Sequence, residues 1–397
     1  MIKILITADN HLGKYYKKLV PERLNERRKK IREAFKKTVD YAIEEKVDIY
    51  IQAGDLFDST NPRNQDLAFV AREFSRLKRN NIQIYTIGGN HDAPNMIDSD
   101  AFPMKIYEEV GLIKSFLSQS NINVDVFEKD QKLIISGLSH DPRKKGRIDP
   151  LENIRILENI RIIDPIPHDN NIWKILILHY SFEKYAHPKS SEPQVSVDTL
   201  YNLPFNIYIL GHLHEKNIYK FGDKIVIIPG STERFDFGEI DLTPGFYLLK
   251  IEGKKIDIIH EKIDPQPMKI MEIKLSEITE KDYTNAIIEK ILRESHKDLI
   301  LKCKIVGVIP ISIYSSINFS KILDEGLKAN FLFDLDTQNL RIKGQEISII
   351  PSEDLSFEKN LLKVTEKYLE ENKEDKEAII EAVKWIKEEL KVRGEFI

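Results

Sequence analysis

The sequence predicts an α/β protein: two β-sheets packed as a sandwich and flanked by helices, then a small α+β unit and a C-terminal helical pair. Three observations carry this. Across residues 1–265, strand-like apolar runs alternate with helix-like stretches, and from Asn121 the strands become shorter and more frequent. Asp264-Pro265-Gln266-Pro267 places two prolines so close that no regular element can cross them, which marks a linker. Five strand-like runs before it each lead into a short motif of Asp, His or Asn, and open α/β sheets place their ligands just beyond the carboxyl ends of strands.

A chain of 397 residues is too long for one core. Three parts are expected, at 1–265, 268–350 and 351–397. Residues 2–6 form a first strand, too short and too soon polar for a signal peptide. Leu24, Ile31, Phe35 and Val39 give residues 21–45 a helical period, and Leu67, Val70, Phe74 and Leu77 do the same for 63–80. Strands follow at 48–52 and 83–87, then at 132–136, 174–178, 207–210, 218–221, 224–228 and 246–251. In the second part, strands are expected at 269–274, 299–306 and 330–334, with helices near 281–293 and 318–328. Beyond Pro351, one apolar stripe runs through Phe357, Leu361, Val364 and Tyr368, and another through Ile379, Val383, Ile386 and Leu390. This helical pair either closes on the chain's own core or docks another protein.

Composition narrows the class. A net charge of −4 does not favour indiscriminate binding to nucleic acid. The single cysteine, Cys303, excludes disulfides and thiolate zinc sites within the chain and fits a reducing compartment. No uncharged run reaches the ~18 residues of a membrane span. Basic residues crowd locally, from Lys14, Lys17 and Lys18 through Arg23, Arg27, Arg28, Lys29, Lys30 and Arg32, and again at Arg143, Lys144, Lys145 and Arg147. Each cluster is either a solvated face or a phosphate-contacting surface.

The motifs are Asp9-Asn10-His11, Gly54-Asp55, Gly88-Gly89-Asn90-His91-Asp92, His179 and Gly211-His212-Leu213-His214. Asp9, His11, Asp55, Asn90, His179, His212 and His214 offer carboxylate, imidazole and amide oxygen, a mixture suited to manganese, iron or zinc. Asp-x-His and His-x-His put both side chains on one side of an extended chain, which suits one centre. A carboxylate such as Asp55 can bridge two cations. Two divalent ions about 3.5–4 Å apart polarise a phosphoryl group and activate water at neutral pH. His91 neighbours a ligand but points differently, so it is the expected general acid or electrostatic stabiliser, with Asp92 orienting its ring. A reading of these residues as mere caps and turns does not explain why five of the ten histidines sit in strand-terminal motifs.

The order of motifs resembles the calcineurin-like metallophosphoesterases. Within them, Ala8-Asp9-Asn10-His11-Leu12-Gly13 and Pro229-Gly230-Ser231-Thr232-Glu233-Arg234 resemble the nuclease subunit of the SbcCD-type complex, the meiotic recombination eleven family. The resemblance covers about residues 1–265. It implies that Asp9, His11 and His214 hold one manganese ion, that Asn90, His179 and His212 hold the other, that Asp55 bridges them, and that His91 acts at the leaving group. It implies a manganese-dependent 3′-to-5′ exonuclease and single-strand endonuclease in DNA double-strand-break repair, inside the cell and associated with the nucleoid. The second part and the terminal helices match the family's DNA-capping and partner-binding regions in position. The implied partners are DNA, an SMC-like ABC ATPase gripped by the terminal helices, and a second copy of the chain docked through residues 63–80 and 98–116. The sequence departs from the family at Asp58, where many members carry a second active-site histidine. The alternatives are another phosphodiesterase or phosphatase of the superfamily, or a weakly catalytic scaffold for DNA and the ATPase. Protein phosphatases of the superfamily place an arginine after the bridging aspartate, and Leu56-Phe57-Asp58-Ser59-Thr60 lacks one.

Overall fold

Apolar, β-branched runs supply the strands, and the pairing of those runs builds two sheets. A computed structural model describes residues 1–94, 101–152, 172–343 and 381. The first sheet takes β1 (Ile2–Thr7), β2 (Ile49–Ala53), β3 (Gln83–Ile87) and the short β4 (Lys114–Ser115), all parallel. Two right-handed crossovers are the expected connection for such strands. Here they carry α1 (Pro21–Glu44) and α2 (Asn64–Arg79), while α3 (Lys105–Glu109) precedes β4. The second sheet takes β5 (Asn123–Glu128), β6 (Lys132–Gly137), β7 (Trp173–His179), β10 (Ile207–Gly211), β11 (Asn217–Phe221) and β12 (Lys224–Ile228), with β6, β7, β10 and β12 parallel. Between β7 and β10 lie the small pair β8 (Ser181–Phe182) and β9 (Gln194–Val195) and the short helix α4 (Val197–Asn202).

The two-sheet architecture expected from the sequence is present, with one addition. The strands β13 (Gly245–Glu252) and β14 (Lys255–Lys262) return to the first sheet, β13 pairing antiparallel with β1. Among the described residues each sheet thus has six strands, in the orders β14-β13-β1-β2-β3-β4 and β11-β12-β10-β7-β6-β5. Their facing surfaces enclose one layer of core, which includes Ile4, Ile6, Ile51 and Tyr85 from one sheet and Ile135, Ile177, Ile209 and Ile227 from the other. Ile31, Phe35 and Val39 of α1 and Val70, Phe74 and Leu77 of α2 seal the outer face of the first sheet. Leu200, Phe205 and Tyr180 help to cover the outer face of the second.

After Pro267 the chain builds a further sheet from β15 (Met268–Lys274), β16 (Ile300–Ile309) and β17 (Leu332–Asp336), parallel in the order β15-β16-β17, with β18 (Leu340–Ile342) also on β16. The helices α5 (Tyr283–Glu294) and α7 (Phe319–Ala329) pack Ile287, Ile291 and Ile322 over Leu301, Cys303 and Ile305, while α6 (Ile311–Ser316) is a short link. Cys303 is a buried free thiol within that core. Met1–Arg341 forms one compact unit. The helical pair expected across 351–397 lies outside the described residues, Glu381 apart. Among the described residues no helix is long and apolar enough to cross a membrane.

The basic cluster after the first motif proves to be wiring more than open surface. Arg27 is fully buried and ion-paired with Glu233 at 3.0 Å, while it also donates to Gln266 and to the Arg234 carbonyl. Arg32 pairs with buried Asp66, and Arg28 donates to the Gly13 and Lys14 carbonyls. Lys18 reaches Asp334 and Lys30 reaches Asp298, both in the small α+β part. In the second cluster, Arg143 forms a fork on Asp141.

Candidate metal centre

The five motifs meet at one rim because every strand that precedes them is parallel within its sheet and ends on the same side. Asp9, Asp55 and Asn90 come from loops after the first sheet's strands; His179, His212 and His214 come from the second. The first loop lies along the second through Asp9 N to Gly54 O, Asn10 N to Asp55 O and Leu12 N to Leu56 O. The sheets approach so closely here that a Cβ on Gly211 would sit 2.1 Å from the Ala53 carbonyl oxygen. Gly54, with φ of +88°, has a second reason, since a Cβ there would meet His179 Nδ1 at 2.3 Å. Four site residues hold positive φ: Asp9 at 48°, His11 at 44°, Asp55 at 51° and His212 at 94°. Such backbone is costly for L-residues and concentrates where geometry serves a site.

The side chains form two adjoining groups. In the first, His11 Nε2 lies 3.1 Å from His214 Nε2, and Asp9, His11 and His214 present ligand atoms to one another. In the second, Asn90 Oδ1 lies 3.1 Å from His179 Nε2 and 2.8 Å from His212 Nδ1. Asp55 stands between them, its Oδ2 3.3 Å from His179 Nε2 and 3.7 Å from His11 Nε2. Its Oδ1 accepts the His91 backbone N–H at 2.8 Å, which ties the second loop to the third.

Each imidazole also has its other nitrogen engaged. His11 Nδ1 meets Asp58 Oδ1 at 3.1 Å, and His214 Nδ1 meets Glu239 Oε1 at 2.6 Å. His212 Nε2 meets Glu192 Oε2 at 2.9 Å, and His179 Nδ1 meets the Ala53 carbonyl at 2.8 Å. Histidines that ligate metals are held this way, which fixes the tautomer and points the free nitrogen at the ion. The donor set, two carboxylates, an amide oxygen and four imidazoles with no sulfur, fits divalent cations of the manganese, iron and zinc kind. Glu192 and Glu239 are not legible in the sequence as site residues, because neither sits in a motif.

Asp58 therefore has a definite place. Its carboxylate receives His11 Nδ1 and Lys14 Nζ at 3.1 and 3.0 Å, so it orients the His11 ring. Burial opposes its charge, but the His11 hydrogen bond and Lys14 hold its pKa below the usual carboxylate range. The expected role of Asp92 needs correction. Its carboxylate accepts the backbone N–H groups of Gly89, Leu56 and Phe57 at 2.6, 2.9 and 3.4 Å, and so anchors the loops instead of orienting His91. In this turn Asp92 is buried against those amides while His91 stands at the exposed edge. Burial and the neighbouring Asp55 push the Asp92 pKa up to about 7. His91, 40% exposed, sets its Nδ1 3.6 Å from Asp58 Oδ1, with its ring edge-on to His11 at 4.6 Å between centroids.

Burial works against charge on His179, but Asp55 and then Asp9 more than offset it and raise its pKa to about 9. Asp55, in spite of burial, is held well below the ordinary carboxylate range by His179 and His11. His179 is thus paired as an imidazolium with Asp55, whereas burial lowers the pKa of His11. His140 lies behind the rim as a structural neighbour, with Nδ1 3.1 Å from the His179 carbonyl oxygen.

The sequence model of the calcineurin-like phosphoesterase family matches residues 2–216, a span that contains all five motifs. The chain belongs to that family and is a metal-dependent phosphoesterase. Its relatives narrow the likeness. It is 29% identical over 299 residues to the DNA double-strand break repair protein Mre11 of Methanocaldococcus jannaschii, covering 74% of each chain. To the protein of that name from Sulfurisphaera tokodaii it is 32% identical over 240 residues, 60% of this chain and 56% of the other. A solved structure from Thermus thermophilus covers 65% of this chain and 98% of its own at 15% identity and a TM-score of 0.41, which adds nothing to the family assignment.

Proposed function

We propose that the chain is a manganese-dependent DNA nuclease, a 3′-to-5′ exonuclease and single-strand endonuclease, that works at double-strand breaks. The observation that carries this reading is the pair of adjoining ligand groups sharing Asp55, with the second nitrogen of every histidine already held. Asp9, His11 and His214 would hold one ion, Asn90, His179 and His212 the other. Bound there, two divalent ions neutralise phosphoryl oxygens and activate the attacking water. His91 stands at the exposed edge with Nδ1 toward Asp58, which leaves Nε2 to exchange a proton with the leaving oxygen. Similarity to proteins named for double-strand break repair supports DNA as the ester. Incubation with labelled duplex DNA tests it: mononucleotides should appear with manganese and not with chelator. Hydrolysis of small phosphate esters with DNA left intact would contradict it.

The assembly is proposed from surface and sequence features. Ile106 and Val110, 54% and 65% exposed beside α2, offer apolar surface for a second copy. The amphipathic stripes beyond Pro351 suit an SMC-like ATPase, and the enzyme would act inside the cell on chromosomal DNA.

Two further outcomes follow from the geometry. Glu239→Ala should weaken manganese binding about 10–100-fold, whereas Glu239→Gln, whose amide oxygen still accepts from His214, should lose much less. Calorimetric titration reads both, and wild-type affinity in the alanine variant would remove Glu239 from the site. The second concerns protons. A metal ligand must be neutral, and His179 has its pKa raised to about 9 in the metal-free chain. At pH 7.5 it is therefore charged, and manganese must expel that proton. Affinity should rise with pH and level off above about 9. Titrations in buffers of different ionisation enthalpy should show at least one proton released per chain, and binding heats independent of buffer would contradict this.

A further inference from the structure

A cleft of about 190 Å³ opens between the two-sheet core and the small α+β part. Tyr16, Phe235 and Phe237 wall it on one side, and Met268, Ile300 and Leu332 on the other. An apolar cavity of roughly 150 Å³ already admits a benzene ring, so this one has room for a single flat ring system. Tyr16 Oη is buried beside the Arg27 side chain. The Arg27 guanidinium lies 5.6 Å from the centre of the Tyr16 ring, and its Nη1 is occupied by Glu233 and Gln266. The cleft is thus walled mainly by aromatic and aliphatic side chains, with Lys18, Arg27, Asp236 and Asp334 as its charged lining.

The cleft is also joined to the metal centre. The Phe235 ring, one of its walls, lies 4.9 Å from the His11 ring and 5.4 Å from that of His214. Glu239 binds His214 Nδ1 with one oxygen and the Phe235 backbone N–H with the other. A ligand in the cleft sits one side chain away from the ligand histidines. Charge at the rim is balanced, with Lys18 on Asp334 and Lys302 between Asp334 and Asp336. A bare phosphate gains little there, so the selection falls on the ring.

We propose that this cleft is a base pocket, which receives one unstacked nucleobase of the strand whose phosphate lies at the metal centre. A nucleobase is flat, apolar on its faces and polar at its edge, and aromatic side chains take such bases without strict sequence preference. The proposal rests on the nuclease reading above. It makes Phe235 a shared wall, through which base occupancy and the seating of His214 are coupled.

The test uses the full-length, manganese-loaded chain and 5′-labelled single-stranded oligonucleotides, one intact and a set lacking one base at successive positions around the cut. One missing base should raise KM on the order of tenfold, with the other positions close to the intact strand. Leu332→Trp, which fills the cleft, should raise KM for the intact strand to the same level and abolish the difference between intact and abasic strands. The scan on the unaltered chain stands alone if that variant does not fold. Cleavage with a flat abasic scan, or discrimination that survives Leu332→Trp, overturns the pocket and leaves the nuclease reading standing. No cleavage of any strand overturns both.

Discussion

Asp55→Asn is expected to leave a folded chain that holds at most one manganese ion and cleaves DNA at least about 10³-fold more slowly. The argument is geometric. Asp55 is nearly fully buried, and the same carboxylate oxygen faces His179 of one ligand group and His11 of the other. Its loss removes the shared charge from both groups at once, which no other single substitution at the rim does. Asparagine keeps an oxygen for the His91 backbone N–H, so the third loop should stay in place. The removed charge is also what raises the His179 pKa, so that imidazole should turn neutral at ordinary pH in the variant. Manganese per chain by elemental analysis, together with thermal unfolding and cleavage rate, reads the outcome. Two ions retained would show that Asp55 does not bridge.

His91→Asn is expected to do the reverse. It should keep both ions and lose cleavage by about 10²–10⁴-fold. His91 stands outside the two ligand groups, more exposed than His212 or His214, and its backbone, not its ring, binds Asp55. Its ring nevertheless lies with His11 and Asp58 in an arrangement that a metal could use. Elemental analysis separates the two roles: loss of manganese in this variant would make His91 a ligand.

The candidate rim was legible because each of its residues follows closely on a strand, and strand direction alone then sends all of them to one end of the sheets. Local period also placed α1, α2, α5 and α7 within a few residues, while the short α6 was not expected. What failed was whatever depends on distant pairing. Arg27 counts in sequence as part of an exposed basic stretch, yet its partner Glu233 reaches it from the far end of the core and buries it. Glu192 and Glu239 carry no local pattern, and only the return of their loops to the rim brings them to His212 and His214. Asp92 misled for the opposite reason: adjacency to His91 suggested contact, whereas its carboxylate is taken up by the backbone N–H groups of Gly89, Leu56 and Phe57. The return of β13 to lie beside β1 is likewise a pairing that no periodicity announces.

The central claim, two ions sharing Asp55, is tested most directly by anomalous scattering from manganese-soaked crystals of the full chain. The account expects two peaks about 3.5–4 Å apart, one against Asp9, His11 and His214, the other against Asn90, His179 and His212, with Asp55 bound to both. A single peak, or two peaks with Asp55 bound to only one, would contradict it.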